Sequence, residues 1–90
     1  MAVSDDSVFA LSPMFRLQWE EAQQRDVLLY PEGMVELNQS SAEILKLCDG
    51  TRTLEKIVTE LEEKFSASGL QKDICEFIEV ALEHGWIKQS

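Results

Sequence analysis

Residues Arg25–Asn38 read RDVLLYPEGMVELN, and this stretch decides the fold. The apolar run Val27–Tyr30 and the alternating run Met34–Leu37 each predict a short β-strand. Between them, Pro31 presets φ for a turn and Gly33 is free to take a positive φ. These residues predict a type I turn with a glycine bulge, and so an antiparallel hairpin.

A third strand precedes the hairpin. Phe15, Leu17 and Trp19 alternate with polar residues, and this period of two is typical of a half-buried strand. Trp19 closes the apolar row and is expected in the core. Residues 1–12 show no consistent period and are predicted to form a flexible N-terminal tail. The alternative is an ordered arm that packs Val8, Phe9 and Leu11 on a neighbour.

Three helices are predicted after the hairpin. Asn38 or Ser40 caps the first helix, and Gly50 ends it. Thr53 caps the second, whose apolar residues recur at helical spacing: Leu54, Ile57, Val58, Leu61 and Phe65. The third spans Gln71 to His84, with one apolar face made by Ile74, Phe77, Ile78 and Ala81. The predicted fold class is α+β. A three-stranded antiparallel sheet is followed by a three-helix bundle, and the arrangement is winged helix-turn-helix-like, in one domain of residues 13–90.

Composition excludes several functions. The 90 residues carry a net charge of −9, so no basic surface is expected for a nucleic acid. No apolar run reaches the length of a membrane span, and residues 1–12 lack the basic start of a secretory signal, so a cytoplasmic location is expected. Cys48 and Cys75 lie in apolar helical patterns and are predicted to be inert thiols, with a disulfide or metal site as the minor alternative.

The residues alone leave three functions open. No nucleophile stands beside a base at catalytic spacing, so enzymatic activity is not expected and no cofactor is predicted. If Met34–Leu37 is an edge strand, an extended peptide can pair with it and press against a helix, unless the tail or a second subunit covers that edge. The alternatives are a winged-helix DNA-binding domain, which the acidic third helix disfavours, and a dimerisation module that uses the sheet.

The chain resembles the family of protein D of pyrroloquinoline quinone biosynthesis. The resemblance extends from about Pro13 to Lys88. It rests on the following segments at this spacing: Leu28-Leu29-Tyr30-Pro31-Glu32-Gly33, Leu37-Asn38, Ile44-Leu45, Cys48-Asp49-Gly50 and Ile57-Val58.

The resemblance implies a non-enzymatic chaperone that binds the precursor peptide of pyrroloquinoline quinone and delivers it to a radical S-adenosylmethionine enzyme. It also implies that the peptide adds as a strand beside the third predicted strand, against the third helix. The peptide-binding residues are then expected to be Met34, Val35, Glu36 and Leu37 on the strand, and Ile74, Phe77 and Ile78 on the helix. No nucleic acid or membrane partner is expected. A homodimer through the exposed strands is expected at high concentration.

Overall fold

The computed structural model describes residues 3–89, which form an α+β fold of six strands and three helices. The elements are β1 Val8–Leu11, β2 Arg16–Glu20, β3 Arg25–Tyr30, β4 Gly33–Glu36, α1 Gln39–Leu47, β5 Asp49–Thr53, α2 Leu54–Lys64, α3 Gln71–Glu83 and β6 Ile87–Gln89. The predicted class is therefore confirmed. Every helix within residues 3–89 is too short or too polar to cross a membrane.

The predicted three-stranded antiparallel sheet is present, and the structure adds a second antiparallel sheet that was not predicted. One has the order β2-β3-β4 and contains the predicted hairpin, whereas the other has the order β5-β1-β6. Because β5 separates α1 from α2 and β6 follows α3, the prediction of a sheet followed by a helical bundle is wrong. Neither strand has a hydrophobic pattern that predicts it, since β5 is polar and largely exposed and β6 has only 3 residues.

The N-terminal segment belongs to the fold. β1 is the central strand of the second sheet, and the side chain of Phe9 on it is 0% exposed. The carbonyl of Ser7 also accepts a hydrogen bond from the amide of Leu54, at the start of α2. The expected flexible tail is therefore wrong for Val8–Leu11, which pair with β5 and β6 of the same chain. The first two residues of the expected tail lie outside the described residues.

The hairpin turn is tighter than expected. Tyr30 pairs directly with Gly33, so the loop has only Pro31 and Glu32 and no bulge is present. Gly33 does not adopt a positive φ. A Cβ atom there would lie 3.4 Å from the Tyr30 hydroxyl oxygen, which is an ordinary van der Waals contact.

Caps fix where the helices begin. The Asn38 side chain accepts a hydrogen bond from the Ser41 amide at 2.8 Å, so Asn38 and not Ser40 caps α1. Thr53 caps α2 as predicted, by accepting from the Lys56 amide. Gly85, at a φ of 77°, follows the end of α3. One face of each helix packs into a shared core with β1, β3 and β6.

Candidate functional site

β4 is an open edge of its sheet, because within the described residues it pairs only with β3. The amide of Leu37 donates to the carbonyl of Asp26 in β3. Hydrogen-bonded and non-bonded pairs alternate along an antiparallel ladder, so the Val35 amide also points toward β3. The amides and carbonyls of Met34 and Glu36 therefore point outward, toward solvent.

The side chains of β4 divide as the alternating sequence predicted. Leu37 is buried and Val35 is half-buried against the core. Met34, at 45% exposed, and Glu36 lie on the opposite face. The Glu36 carboxylate there accepts a hydrogen bond from Arg25 at 3.3 Å. An incoming strand would thus meet two free backbone positions beside an apolar inner face.

An apolar groove of about 300 Å³ begins where β4 ends. Asn38, which follows β4 and caps α1, connects the strand to this groove. The groove lies between the first turns of α1, the end of α2 and the first half of α3. Its lining residues are Asn38, Ser40, Ser41, Ile44, Leu61, Phe65, Ala67, Leu70, Asp73, Ile74 and Phe77. This volume is at the lower end of the range for small-molecule pockets, roughly 300–1,000 Å³, and suits one or two peptide side chains.

The three residues predicted on α3 have different positions. Phe77 is half-buried and lines the groove, and Ile74 lines it while packing into the core. Ile78 is 0% exposed and does not line the groove. The expected contact between Ile78 and a peptide is therefore wrong. The helical period places core residues and groove residues on one broad apolar stripe, so the sequence pattern did not separate them.

Other groove residues were missed from the sequence. Ser40, Ser41 and Ile44 line the groove because α1 begins beside it. Only the tertiary arrangement shows that the helix begins there. Phe65 was assigned to the apolar stripe of α2, but it lies just beyond the helix and is partly exposed. The position of Phe65 immediately before the polar segment Ser66–Gly69 is the sequence feature that could have indicated that it lies beyond the helix.

The lining of the groove is almost uncharged. Asp73 is the one ionisable side chain among the described residues that line the groove. Burial raises the pKa of Cys48 to about 12, which keeps its thiol protonated and unreactive. Burial also raises the pKa of Cys75, with the nearby carboxylates of Glu79 and Asp5 acting in the same direction. Within residues 3–89 no group of His, Cys, Asp and Glu side chains is arranged to hold a metal ion.

Trp19 was expected in the core but is 53% exposed on β2, the opposite edge of the sheet. Its indole N–H donates to the Glu21 carboxylate at 2.9 Å. The side chain does not pack into the core but lines an open pocket with residues of β3 and α1, among them Asp26, Gln39 and Glu43. Trp19 is not among the groove residues.

An open strand edge beside an apolar groove is the arrangement of domains that accept an extended peptide. The model of the family described as coenzyme PQQ synthesis protein D matches residues 26–87. A protein of Methylococcus capsulatus named PqqA binding protein is 54% identical over 89 residues, covering 99% of this chain and 96% of that protein. One of the same name from Azotobacter vinelandii is 55% identical over 75 residues, covering 82% of each chain. This chain belongs to the coenzyme PQQ synthesis protein D family, as the sequence resemblance indicated.

Solved structures agree with this assignment. The solution structure of the PqqD truncation of Methylobacterium extorquens PqqCD, described as a functional and stand-alone RiPP recognition element, matches with a TM-score of 0.81 and 27% identity. The match covers 97% of this chain and 95% of that one. The heterocyclase TruD matches with a TM-score of 0.70 over 93% of this chain and 12% of its own, at 22% identity, which shows a shared fold.

Proposed function

We propose that this chain is a non-enzymatic chaperone that binds PqqA, the precursor peptide of pyrroloquinoline quinone, as an added strand on β4. The observation that carries the proposal is the open edge of β4, which leads directly into an apolar groove beside α3. The relatives that are named PqqA binding proteins support the choice of peptide. The proposed contact residues are Met34, Val35, Glu36, Leu37, Ile74 and Phe77.

Backbone pairing and groove contacts have separate roles in this mechanism. Each backbone hydrogen bond at Met34 or Glu36 contributes about 0.5–1.5 kcal/mol net, whereas ordering each peptide residue costs about 1–2 kcal/mol. Pairing alone therefore does not hold a flexible peptide. Burial of one apolar side chain in the groove adds about 1.5–3 kcal/mol. The edge thus fixes the direction of the peptide, and the groove supplies affinity and register.

Delivery to a radical S-adenosylmethionine enzyme is the second part of the proposal. It rests on the family resemblance and on a groove that carries no arranged catalytic group. A bound peptide is already extended, so the enzyme meets an ordered substrate and does not bear the full entropy cost of ordering it. A cytoplasmic location stays a prediction.

A DNA-binding role was the main alternative, on the basis of a winged helix-turn-helix topology. The helix that would enter a groove of DNA is α3, and its exposed acidic residues are Asp73, Glu76, Glu79 and Glu83. Against them α3 carries a single basic residue, Lys72. The acidic surface of α3 would repel the negatively charged phosphates of DNA.

The proposal is tested by titrating the isotope-labelled protein with synthetic PqqA while recording backbone amide shifts. We expect the largest shifts at Met34, Glu36 and the first turn of α1. Shifts confined to β1, β5 and β6 would contradict the placement of the peptide. The absence of any binding at tens of micromolar protein, or turnover of the peptide by the isolated protein, would contradict the chaperone role.

A further inference from the structure

The apolar surface beside α3 continues past the groove at Phe77. The ring of Phe77 lies 6.3 Å from the indole of Trp86, and the imidazole of His84 stacks on that indole at 5.0 Å with an interplanar angle of 19°. Val80, 47% exposed, lies between Phe77 and His84 on the same side of the helix. We call His84 and Trp86 the aromatic stack.

A series of contacts links the aromatic stack to the hairpin end of the sheet that contains β4. The Trp86 carbonyl accepts a hydrogen bond from the Ser12 amide at 2.9 Å, and the Ser12 carbonyl accepts one from the Phe15 amide at 3.0 Å. The Phe15 ring is 5.5 Å from the ring of Tyr30, which pairs with Gly33 at the start of β4. These contacts connect the C-terminal end of α3 to the hairpin end of the sheet.

The groove lies at the other end of both elements. It contains Asn38, just past the end of β4, together with Asp73 from the first turn of α3. β4 and α3 therefore run in opposite directions along the peptide site. The path from Gly33 to Asn38 is about 16 Å at 3.3 Å per extended residue. The path from Asp73 to His84 is also about 16 Å at 1.5 Å per helical residue.

We propose that the aromatic stack is a second subsite for the same peptide strand, and this inference rests on the proposed function. The strand that pairs with β4 would place one apolar side chain in the groove and a second apolar or aromatic side chain against His84 and Trp86. Side chains on one face of a strand recur every two residues, so residues i and i+4 lie about 13 Å apart. That separation fits within the matched lengths of β4 and α3. The substrate class is thus an extended peptide with two apolar side chains four residues apart.

The exposure of the stack supports a binding role. His84 is exposed, and its ring covers one side of the half-buried Trp86. Aromatic faces accept apolar and aromatic side chains at a separation of about 4.5–7 Å. The stack also adjoins Phe77, which is itself a groove residue, so one peptide strand can contact both subsites without a break.

The first experiment uses the two tryptophans of the chain as reporters. Protein labelled with 5-fluorotryptophan gives two ¹⁹F resonances, which Trp19→Phe assigns. Saturation with PqqA should move the Trp86 resonance. An unmoved Trp86 resonance, with amide shifts present at Met34 and Glu36, would overturn the second subsite and leave the proposed function standing.

The second experiment measures register with double-mutant cycles. His84→Ala should weaken binding roughly threefold to tenfold, the range expected for loss of one aromatic contact. Thr59→Ala, at an exposed position on α2, is the control and should leave binding unchanged. An alanine scan of PqqA should find one position coupled to His84 and another, four residues away, coupled to Phe65 of the groove.

The outcomes separate the two proposals. A His84→Ala variant that binds like the wild type, or a coupled spacing other than four, would overturn the second subsite. If neither the wild type nor any variant binds the peptide, the proposed function fails and this inference fails with it. Circular dichroism of each variant shows that the fold is retained.

Discussion

At the scale of single residues, neighbouring positions on β4 have opposite roles. The Val35 amide points into the sheet and the Glu36 amide points out of it, as the bonded pair of Leu37 with Asp26 requires. This alternation cannot be read from the sequence, because either phase of the ladder is compatible with the same hydrophobic pattern. It decides which residue tests strand addition.

We predict that Glu36→Pro abolishes PqqA binding while the protein stays folded. Proline removes the outward amide and its ring blocks the edge, and edge strands tolerate proline where the amide faces solvent. Glu36→Ala is the matched control, because it removes the same ion pair with Arg25 but keeps the amide. Peptide titration and circular dichroism give the two readouts. Full binding by Glu36→Pro would contradict pairing at this edge.

Val35→Pro should have the opposite consequence. Its amide is part of the ladder to β3 and its side chain packs against the core, so proline there should unfold the domain. The pair of variants therefore separates loss of binding from loss of fold. A stable Val35→Pro protein would show that the phase of the ladder is assigned wrongly.

Glu43 makes stability depend on acid pH. Lys64 donates to its carboxylate at 2.5 Å, and this hydrogen bond, with the charges of Lys46 and Lys64, lowers the pKa of Glu43 below its ordinary value of 4.5 despite partial desolvation. A lowered pKa in the folded state stabilises the fold above the ordinary pKa. That contribution is lost as the pH falls through the folded-state value.

We therefore predict that wild type is more stable than Glu43→Gln at pH 7. The difference should shrink as the pH falls below about 4.5 and vanish once Glu43 is protonated. Thermal unfolding across this range measures the difference, with Glu63→Gln at an exposed position on α2 as the control. A difference that is constant with pH would contradict an ionic origin.

At the scale of elements, the first turn of α1 contributes both to the stability of the fold and to the proposed binding of PqqA. The Asn38 cap fixes the first turn of the helix, and that turn forms one wall of the groove. Asn38→Ala should cost about 1 kcal/mol of folding free energy and also weaken PqqA binding, whereas Asn38→Ser should restore both. Denaturant unfolding and peptide titration test this. Weakened binding in Asn38→Ser at full stability would mean that the amide itself contacts the peptide.

β1 stabilises the domain from a segment that had been expected to be mobile. Phe9 is 0% exposed and belongs to the main core. Phe9→Ala should cost about 3–5 kcal/mol, a large part of the stability of a small domain. Met14→Ala, at an exposed position, is the control. If both variants unfold at the same denaturant concentration, the strand does not contribute as its burial indicates.

Elements with a long or regular hydrophobic pattern could be predicted from the sequence, and the others could not. β2, β3, β4 and the three helices have such patterns. β5 reads DGTRT, where Gly50 has a φ of 85° and was interpreted as the end of a helix. The groove depends on how the ends of three helices meet, so Phe77 could be proposed from the sequence but not distinguished from Ile78.

For the whole molecule, the net charge and the open edges have opposing effects on self-association. β2 and β4 leave both edges of their sheet open within the described residues, and open edges favour pairing between chains. A net charge of −9 opposes such contacts through repulsion, which salt screens. β1 is paired on both sides, so Val8–Leu11 has no free edge for the dimer contact that was expected there.

We predict that a symmetric dimer forms through the edge of β4 at high protein concentration, and more readily at high salt. Because PqqA is proposed to occupy the same edge, saturating peptide should return the protein to monomer, and Glu36→Pro should prevent the dimer without added peptide. Sedimentation at rising protein concentration, with and without PqqA, measures both effects. A dimer whose population is unchanged by saturating peptide would refute the shared edge and direct attention to β2, while peptide binding itself would stand.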